Sequence, residues 1–289
     1  MVTPSTAMAP ISSFPGEAER RALVDDRLRR LLPAGTELPD HLHDALEAGL
    51  LAPGKRLRPQ LTLLATAQCG GDWRAALDPA CALEMVHAAA LILDDLPAMD
   101  DAAERRGQPA LHHRFGEDGA ILAAVALMNQ AYAVVAESPD LTPATRLNLV
   151  RELAETIGAT GLVAGQWRDL HQLDGAGATL VETVNRQKTG LLFHLAVDWG
   201  ARMAGAGADR RSALAAFSDA LGLGYQALDD AVDQGEDGPD SSRLSGGPDT
   251  VRHHMDSALS SLEHGFPSGE PHLATFVLDL FGKHSDEPQ

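Results

Sequence analysis

Two clusters of aspartate stand out in the sequence, and each accompanies a run of apolar residues. The first is Asp-Asp-Leu-Pro-Ala-Met-Asp-Asp at 94–101, which ends the apolar run 81–93. The second is Asp-Asp-Ala-Val-Asp at 229–233, where Asp229 and Asp233 share one face of a helix. One such cluster alone is also typical of a solvated, acidic helix end. Two of them on apolar helices indicate charge that a cation must neutralise, and Mg²⁺ prefers oxygen ligands of this kind.

Basic residues are few and fall into three small groups. They are Gly-Lys-Arg-Leu-Arg-Pro at 54–59, Arg-Arg-Gly at 105–107 and Lys-Thr-Gly at 188–190. Arginine binds phosphate oxygens bidentately, and a helix that begins beside the first group adds its positive dipole end. Each group also has a simpler interpretation, respectively a surface cluster, compensation of the nearby aspartates and a helix end. Gln166 and Asp169, three residues apart, fit a structural or capping pair.

Carboxylates that collect divalent metal, together with cations that bind anionic oxygens, describe a diphosphate site. The helices that carry these groups are apolar, so the remainder of such a cavity would suit a hydrophobic tail. The sequence therefore predicts a substrate with a diphosphate head and an apolar chain.

Composition predicts an all-α protein. The chain has 289 residues, 44% of them hydrophobic but only 4% aromatic, and it is rich in alanine and leucine, which favour helices. The net charge of -18 disfavours nucleic acid as a partner. Two cysteines exclude a disulfide scaffold and fit a reducing, cytoplasmic setting. No apolar run reaches the length and purity expected of a membrane span.

Apolar periodicity predicts one helical domain over 17–289, preceded by a flexible tail at 1–16 that lacks the features of a signal peptide. The turn residues between the periodic segments set their boundaries. The predicted helices cover 17–32, 40–52, 57–69, 73–96, 117–137, 143–163, 179–188, 190–204, 210–234, 249–263 and 270–283. Residues 234–249 are rich in Gly, Pro, Asp and Ser and are predicted to form a loop.

These motifs, in this order, resemble the trans-isoprenyl diphosphate synthases of the polyprenyl synthetase family. The resemblance also includes Leu-Glu-Met-Val-His at 83–87, Phe-Gly-Glu at 115–117 and Gly-Gln at 165–166 with Asp169. Details at 93–95 and 123–127 are most similar to the geranylgeranyl diphosphate synthases of bacterial carotenoid pathways. The resemblance implies a helical bundle around a deep central cavity, usually a homodimer, that condenses isopentenyl diphosphate with allylic diphosphates.

The resemblance also implies a role for each motif residue. The metal ligands for Mg²⁺ would be Asp94, Asp100, Asp229, Asp230 and Asp233, with Asp95 as a further catalytic aspartate. Isopentenyl diphosphate would be bound by Gly54, Lys55, Arg58, His87 and Arg106. The allylic diphosphate would be bound by Arg105, Lys188, Thr189 and Gln226. Two small residues before Asp94, Ala89 and Ala90, would let the product grow beyond fifteen carbons to the twenty-carbon geranylgeranyl diphosphate.

The chain departs from the family pattern after Asp233. Family members usually carry lysines in the following loop, whereas this chain has no lysine between Lys188 and Lys283. Two alternatives follow, a weakly active or regulatory partner subunit and a terpene synthase on the same fold. The two complete aspartate motifs disfavour the first alternative. The retained Lys55, Arg58 and His87 disfavour the second.

Overall fold

The computed structural model describes residues 14–172, 177–237 and 248–282, without the side chains of Ala178, of 229–237 and of Pro248. Helices dominate these ranges, as composition predicted. They are α1 (Glu17–Leu31), α2 (Asp40–Leu50), α3 (Leu57–Gln68), α4 (Leu77–Asp94), α5 (Leu111–Glu137), α6 (Pro143–Ile157), α7 (Leu162–Gln172), α8 (Ala178–Asn185), α9 (Leu191–Met203), α10 (Ala208–Asp237), α11 (Pro248–Gly265) and α12 (His272–Gly282).

Four short elements of secondary structure also occur in the described chain. A 3₁₀ turn, Trp73–Ala76, leads into α4, and a π turn, Arg186–Gly190, joins α8 to α9. Two antiparallel strands, β1 (Glu104–Arg105) and β2 (Gln108–Pro109), form a small hairpin between α4 and α5.

Helix α4 is the centre of the bundle. It packs against α1, α2, α3, α5 and α9, and almost every residue from Pro79 to Ala89 is buried. Such all-round burial explains why its sequence is apolar on every face rather than on one stripe. Its last residue is Asp94, so this central and largely buried helix carries the first aspartate motif at its end.

Most predicted helices are confirmed with ends shifted by a few residues, but three regions differ. The prediction had no separate helix over 162–172, where α7 forms; Gly165 in its middle lowers the helical signal. The predicted helix 143–163 ends at Ile157, because Gly158 leaves the helical conformation. Helix α5 begins at Leu111 rather than at 117, and a non-helical Gly116 (φ 79°) interrupts it.

The boundary regions of the predicted domain are only partly described. Phe14, within the predicted tail, packs against Trp73 and His272, and the Pro15 carbonyl accepts a hydrogen bond from Arg20 at 2.7 Å. Residues 1–13 and 238–247 lie outside the described residues. The two ends of the predicted loop 234–249 are helical, because α10 continues to Asp237 and α11 begins at Pro248.

Two stretches, Trp73–Asp94 and Leu111–Glu137, are long and apolar enough to cross a membrane by length and composition alone. The sequence-based expectation was that none would qualify. Core helices of soluble proteins pass the same test, and 72% of the apolar window in the first stretch is buried within the protein. This makes the two stretches weak evidence for a membrane span.

Candidate active site

Helix α4 and the turn after it position the first aspartate motif. The helix ends at Asp94, and the chain then folds into a compact turn in which the Asp100 amide donates to the Asp94 carbonyl at 2.9 Å. Pro97 within this turn prevents the helix from continuing, as expected from its sequence. Burial raises the pKa of Asp94 to about 6; nearby Lys188 opposes this rise, and Asp100 adds to it. Asp94 is thus a half-buried carboxylate that is costly to ionise, and a nearby cation would offset this cost.

The neighbouring aspartate has a different environment. Asp95 is 3% exposed, and the Arg105 guanidinium donates to it from two nitrogens, with the Nε contact at 2.8 Å. Asp95 was predicted to be catalytic and Arg105 to bind the allylic diphosphate. The structure brings the two together as an ion pair, which agrees with the simpler interpretation of charge compensation.

The β hairpin determines where the next arginine lies. Arg106 and Gly107 form the two-residue turn between the paired strands, and both have positive φ (55° and 71°), as primed hairpin turns require. One Arg106 guanidinium nitrogen donates to the Pro53 carbonyl at 2.9 Å. A Cβ on Gly54 would lie 2.4 Å from the same nitrogen, so a larger residue at this position would displace the Arg106 guanidinium. The structure thus brings together two predicted isopentenyl diphosphate ligands from distant parts of the chain.

The other predicted ligands of this group lie around the start of α3 and the middle of α4. Arg58 is 8% exposed, and its guanidinium lies 4.9 Å from the centre of the Phe193 ring. Burial lowers the pKa of His87 well below its usual range, and Arg58 and Arg106 add to the effect. His87 is therefore neutral near pH 7 and lies in a positive field. Lys55 is exposed beside these groups.

A cavity of about 290 Å³ adjoins these residues. Apolar side chains of α2 and α4 form part of its wall, and His87, Arg105 and Arg106 supply polar groups. Glu84 and Arg56, which were not predicted to be functional, also line it. The presence of Glu84 within a buried apolar run could have pointed to a partner, because such a charge requires one.

The π turn positions the predicted allylic group. Lys188, within the turn, donates to the carboxylate of Asp169 on α7. Gly165 makes this approach possible, since a Cβ there would lie 2.6 Å from the Cβ of Gln187. Thr189 donates to the side-chain oxygen of Gln226 at 3.3 Å. π turns occur often at functional sites, and this one brings Lys188, Thr189 and Gln226 together.

Asp169 was interpreted from the sequence as a structural partner of Gln166. The structure gives it a different partner, Lys188, nineteen residues away. Spacing along one helix favoured the local pair, and no sequence signal fixed the packing of α7 on the π turn.

The second aspartate motif lies on α10, whose backbone is helical from Ala208 to Asp237. This confirms that Asp229 and Asp233 are separated by about one helical turn. The side chains of Asp229, Asp230 and Asp233 lie outside the described part of the chain. Among the described side chains, no three His, Cys, Asp or Glu residues lie close enough together to hold a metal ion. The predicted metal ligands therefore stay a prediction.

The two alanines predicted to set product length differ in burial. Ala89 is fully buried in the core, whereas Ala90 is only partly buried. Ala90 lies four residues before Asp94, on the same helix face. Of the two, Ala90 is the better placed to face substrate.

Comparison with known proteins agrees with the fold and the motifs. A family profile described as "Polyprenyl synthetase" matches residues 39–242, more than half of the chain. A geranylgeranyl diphosphate synthase of Pantoea ananas is 44% identical over 227 residues, which cover 77% of this chain and 75% of the relative. One from Pseudescherichia vulneris is 39% identical over 281 residues, covering 91% of each.

Solved structures give the same result. The crystal structure of a geranyltransferase from Legionella pneumophila superposes with a TM-score of 0.83 at 28% identity, covering 93% of this chain and 95% of that one. A FPP/GFPP synthase from Zymomonas mobilis gives a TM-score of 0.79 at 27% identity, covering 91% and 96%. These matches confirm the predictions of an all-α isoprenoid synthase fold and of a prenyltransferase, and they do not favour the terpene synthase or regulatory alternatives. The chain belongs to the polyprenyl synthetase family.

Proposed function

We propose that this chain is a Mg²⁺-dependent geranylgeranyl diphosphate synthase that extends an allylic diphosphate with isopentenyl diphosphate. One structural observation carries the proposal. Helix α4 presents His87 among Arg58 and Arg106 and, seven residues later, Asp94 beside Lys188. Seven residues span about 10 Å of helix. One rigid element therefore joins two cationic groups at a separation suited to two diphosphates whose reacting carbons meet between them.

In this proposal the isopentenyl diphosphate binds to Gly54, Lys55, Arg58, His87 and Arg106. The positive field around neutral His87 supports binding of an anion, because diphosphate charge relieves the repulsion among these arginines. Arg58 supplies a planar guanidinium that can bind two oxygens at once. These groups hold the substrate so that its double bond faces the allylic carbon.

The allylic diphosphate binds to Arg105, Lys188, Thr189 and Gln226 in the same proposal. The Lys188 ammonium group already donates a hydrogen bond to the Asp169 carboxylate. A bound diphosphate would therefore compete with that carboxylate for the N–H donors of Lys188. As the allylic C–O bond breaks, negative charge grows on the departing diphosphate. Cations that are fixed in place therefore stabilise the transition state more than the bound substrate.

The donor set fits Mg²⁺. Asp94 and Asp100 offer hard carboxylate oxygens, and burial raises the pKa of Asp94, so a bound cation would offset the cost of ionising it. We propose that Asp94, Asp100, Asp229, Asp230 and Asp233 hold the ions. When bound, Mg²⁺ would neutralise the charge of the leaving diphosphate.

The product length rests on the small residues before Asp94. A phenyl group at Ala90 would project from the same face of α4 as Asp94, whereas alanine leaves that space to the growing chain. The names of the relatives from Pantoea ananas and Pseudescherichia vulneris support the twenty-carbon product.

The homodimer and the cytoplasmic location are also proposals. Ile121, Leu122 and Val125 on α5 and Leu147 on α6 are large apolar side chains that are at least 42% exposed, which supports burial against a second copy. Light scattering should then give twice the chain mass of 30.5 kDa. Cys69 and Cys81 are free thiols, in keeping with a reducing compartment.

The function is tested by incubating the protein with Mg²⁺, isopentenyl diphosphate and, in parallel, dimethylallyl, geranyl or farnesyl diphosphate. We expect the twenty-carbon diphosphate from each primer, identified by mass. A reaction that consumes an allylic diphosphate without isopentenyl diphosphate would instead support a terpene synthase. Failure to consume either would contradict both functions.

A further inference from the structure

Arg56 lies between the predicted diphosphate ligands Lys55 and Arg58 but points into the protein. Its backbone is left-handed (φ 51°) where it precedes α3, a conformation that costs free energy for a residue other than glycine. Its side chain is only 5% exposed. A buried arginine in a strained backbone conformation requires strong partners, and this one has three.

The three partners come from three parts of the chain. Arg56 Nε donates to Asp25 of α1 at 2.7 Å, and a terminal nitrogen donates to Glu84 of α4 at 3.1 Å. Its other terminal nitrogen donates to the Ala52 carbonyl at 2.9 Å, on the same loop. The guanidinium thereby fastens the loop 52–56 to two helices at once.

Glu84 connects this anchor to the cavity beside His87. Its side chain is 3% exposed and lines the cavity together with Arg56. Its second oxygen, Oε2, is buried and has no hydrogen-bond partner among the described residues. A buried carboxylate held by one arginine keeps that arginine in place, because either charge alone would be uncompensated.

A second set of contacts fixes the loop on its other side. Gln60 Nε2 donates to the Lys55 carbonyl at 2.8 Å, and Arg20 of α1 donates to Gln60 Oε1 at 3.3 Å. The backbone of Lys55 is therefore held from α3, while the residue after it is held from α1 and α4. Lys55 itself is exposed to solvent.

We propose that the Arg56–Glu84 ion pair is a positioning device for the isopentenyl diphosphate subsite. It sets the backbone of 52–56 so that Lys55, Arg58 and the Arg106 side chain that rests on Pro53 converge on one diphosphate. This inference rests on the proposed function. Arg56 and Glu84 act through the loop and do not contact the substrate, so they are positioning residues rather than catalytic ones.

The chain offers a matched control for purely structural effects. Arg27 of α1 binds Asp78 of α4 through two contacts, at 2.6 and 2.8 Å. This pair joins the same two helices as the Asp25–Arg56–Glu84 contacts but touches no part of the loop. Loss of either pair should lower the thermal midpoint, whereas only loss of the Arg56 contacts should affect isopentenyl diphosphate.

The test compares Arg56→Met, Arg56→Lys, Glu84→Gln and Arg27→Met. We expect Arg56→Met to raise the KM for isopentenyl diphosphate about tenfold or more, with the KM for farnesyl diphosphate changed less than about twofold. Arg56→Lys and Glu84→Gln each keep part of the pairing and should show smaller increases. Arg27→Met should keep both KM values despite a lower thermal midpoint.

Calorimetric binding of isopentenyl diphosphate separates this proposal from the proposed function. Wild-type protein that binds it without condensing it would contradict the proposed function alone, and the variants would then be compared by Kd. An unchanged KM or Kd in Arg56→Met, an equal increase for both substrates, or the same increase in Arg27→Met would overturn the positioning role. Protein that does not bind isopentenyl diphosphate at all would overturn both.

Discussion

The two cationic regions beside α4 are built differently. The loop side comprises 52–58 with His87 and Arg106, and the π-turn side comprises Asp169, 188–190 and Gln226. The loop side is fixed by an ion pair whose side chains are 5% and 3% exposed. On the π-turn side, Lys188 and Asp169 form an ion pair in which each side chain is 27% exposed.

This difference indicates different responses to substrate. On the loop side, the buried Glu84 and the partly exposed Asp25 anchor Arg56, and the neighbouring Lys55 is exposed to solvent. On the π-turn side, the lysine that would bind a diphosphate is itself neutralised by Asp169, so substrate must replace or share that partner. We infer that the loop side is preorganised for one diphosphate, while the π-turn side rearranges its ion pair to accept the other.

The largest expected effect comes from Asp94, the carboxylate at the end of α4 that lies near Lys188. Asp94→Ala removes a proposed metal ligand from a site where charge neutralisation drives bond cleavage. We expect turnover to fall about a hundredfold or more, by analogy with the loss of one electrostatic stabiliser. Steady-state kinetics at saturating Mg²⁺ measure this, and turnover close to that of the wild type would remove Asp94 from the proposed ligand set.

Product length provides a second test. The residue concerned, Ala90, lies on α4 between His87 and Asp94. Ala90→Phe places a ring on the partly buried face that Asp94 shares, and we expect it to shorten the product from twenty to fifteen carbons. Ala89→Phe is the matched variant; because Ala89 is fully buried, it should mainly destabilise the core, by about 1–3 kcal/mol. Mass analysis of the products distinguishes the two. Full-length product from a folded Ala90→Phe protein would show that the chain grows along another path.

A smaller effect concerns stability without metal. Burial raises the pKa of Asp94 from 3.8 to about 6, so its ionised form destabilises the folded state. The destabilisation is complete above pH 6 and disappears as the pH falls towards 4, because the folded state then holds the proton. We expect Asp94→Asn to be more stable than the wild type by about 1–3 kcal/mol at pH 8 without divalent cations.

Thermal unfolding from pH 4 to pH 8 measures this difference. The advantage of Asp94→Asn should shrink as the pH falls, and Mg²⁺ with a diphosphate should stabilise the wild type more than the variant. A metal-free variant less stable than the wild type at pH 8 would contradict the environment assigned to Asp94.

Sequence alone predicted the motifs, the central apolar helix and the helical fold, because these depend on local composition and on the order of recognisable residues. It offered compensation of the nearby aspartates as one interpretation of Arg105, and the structure identifies the partner as Asp95. It did not predict the pairs Lys188 with Asp169 and Arg56 with Glu84, which join residues at least nineteen positions apart. Such pairs follow from helix packing rather than from spacing along one helix.

Helix α7 and the π turn show the same limit. Gly165 reads as a weak point in a helical pattern, yet it is the residue that lets α7 approach Gln187 and place Asp169 beside Lys188. The Lys-Thr-Gly run suggested a helix end, whereas the chain continues through a π turn into α9. Propensity describes the local cost of glycine but not the contact that offsets it.

The central claim is that two separate diphosphate subsites flank α4, and the most direct measurement is the pair of KM values in Arg58→Ala and Lys188→Ala. The account predicts that Arg58→Ala raises the KM for isopentenyl diphosphate about tenfold or more and barely affects the allylic substrate, while Lys188→Ala does the reverse. Equal effects of either variant on both substrates would contradict two separately built subsites.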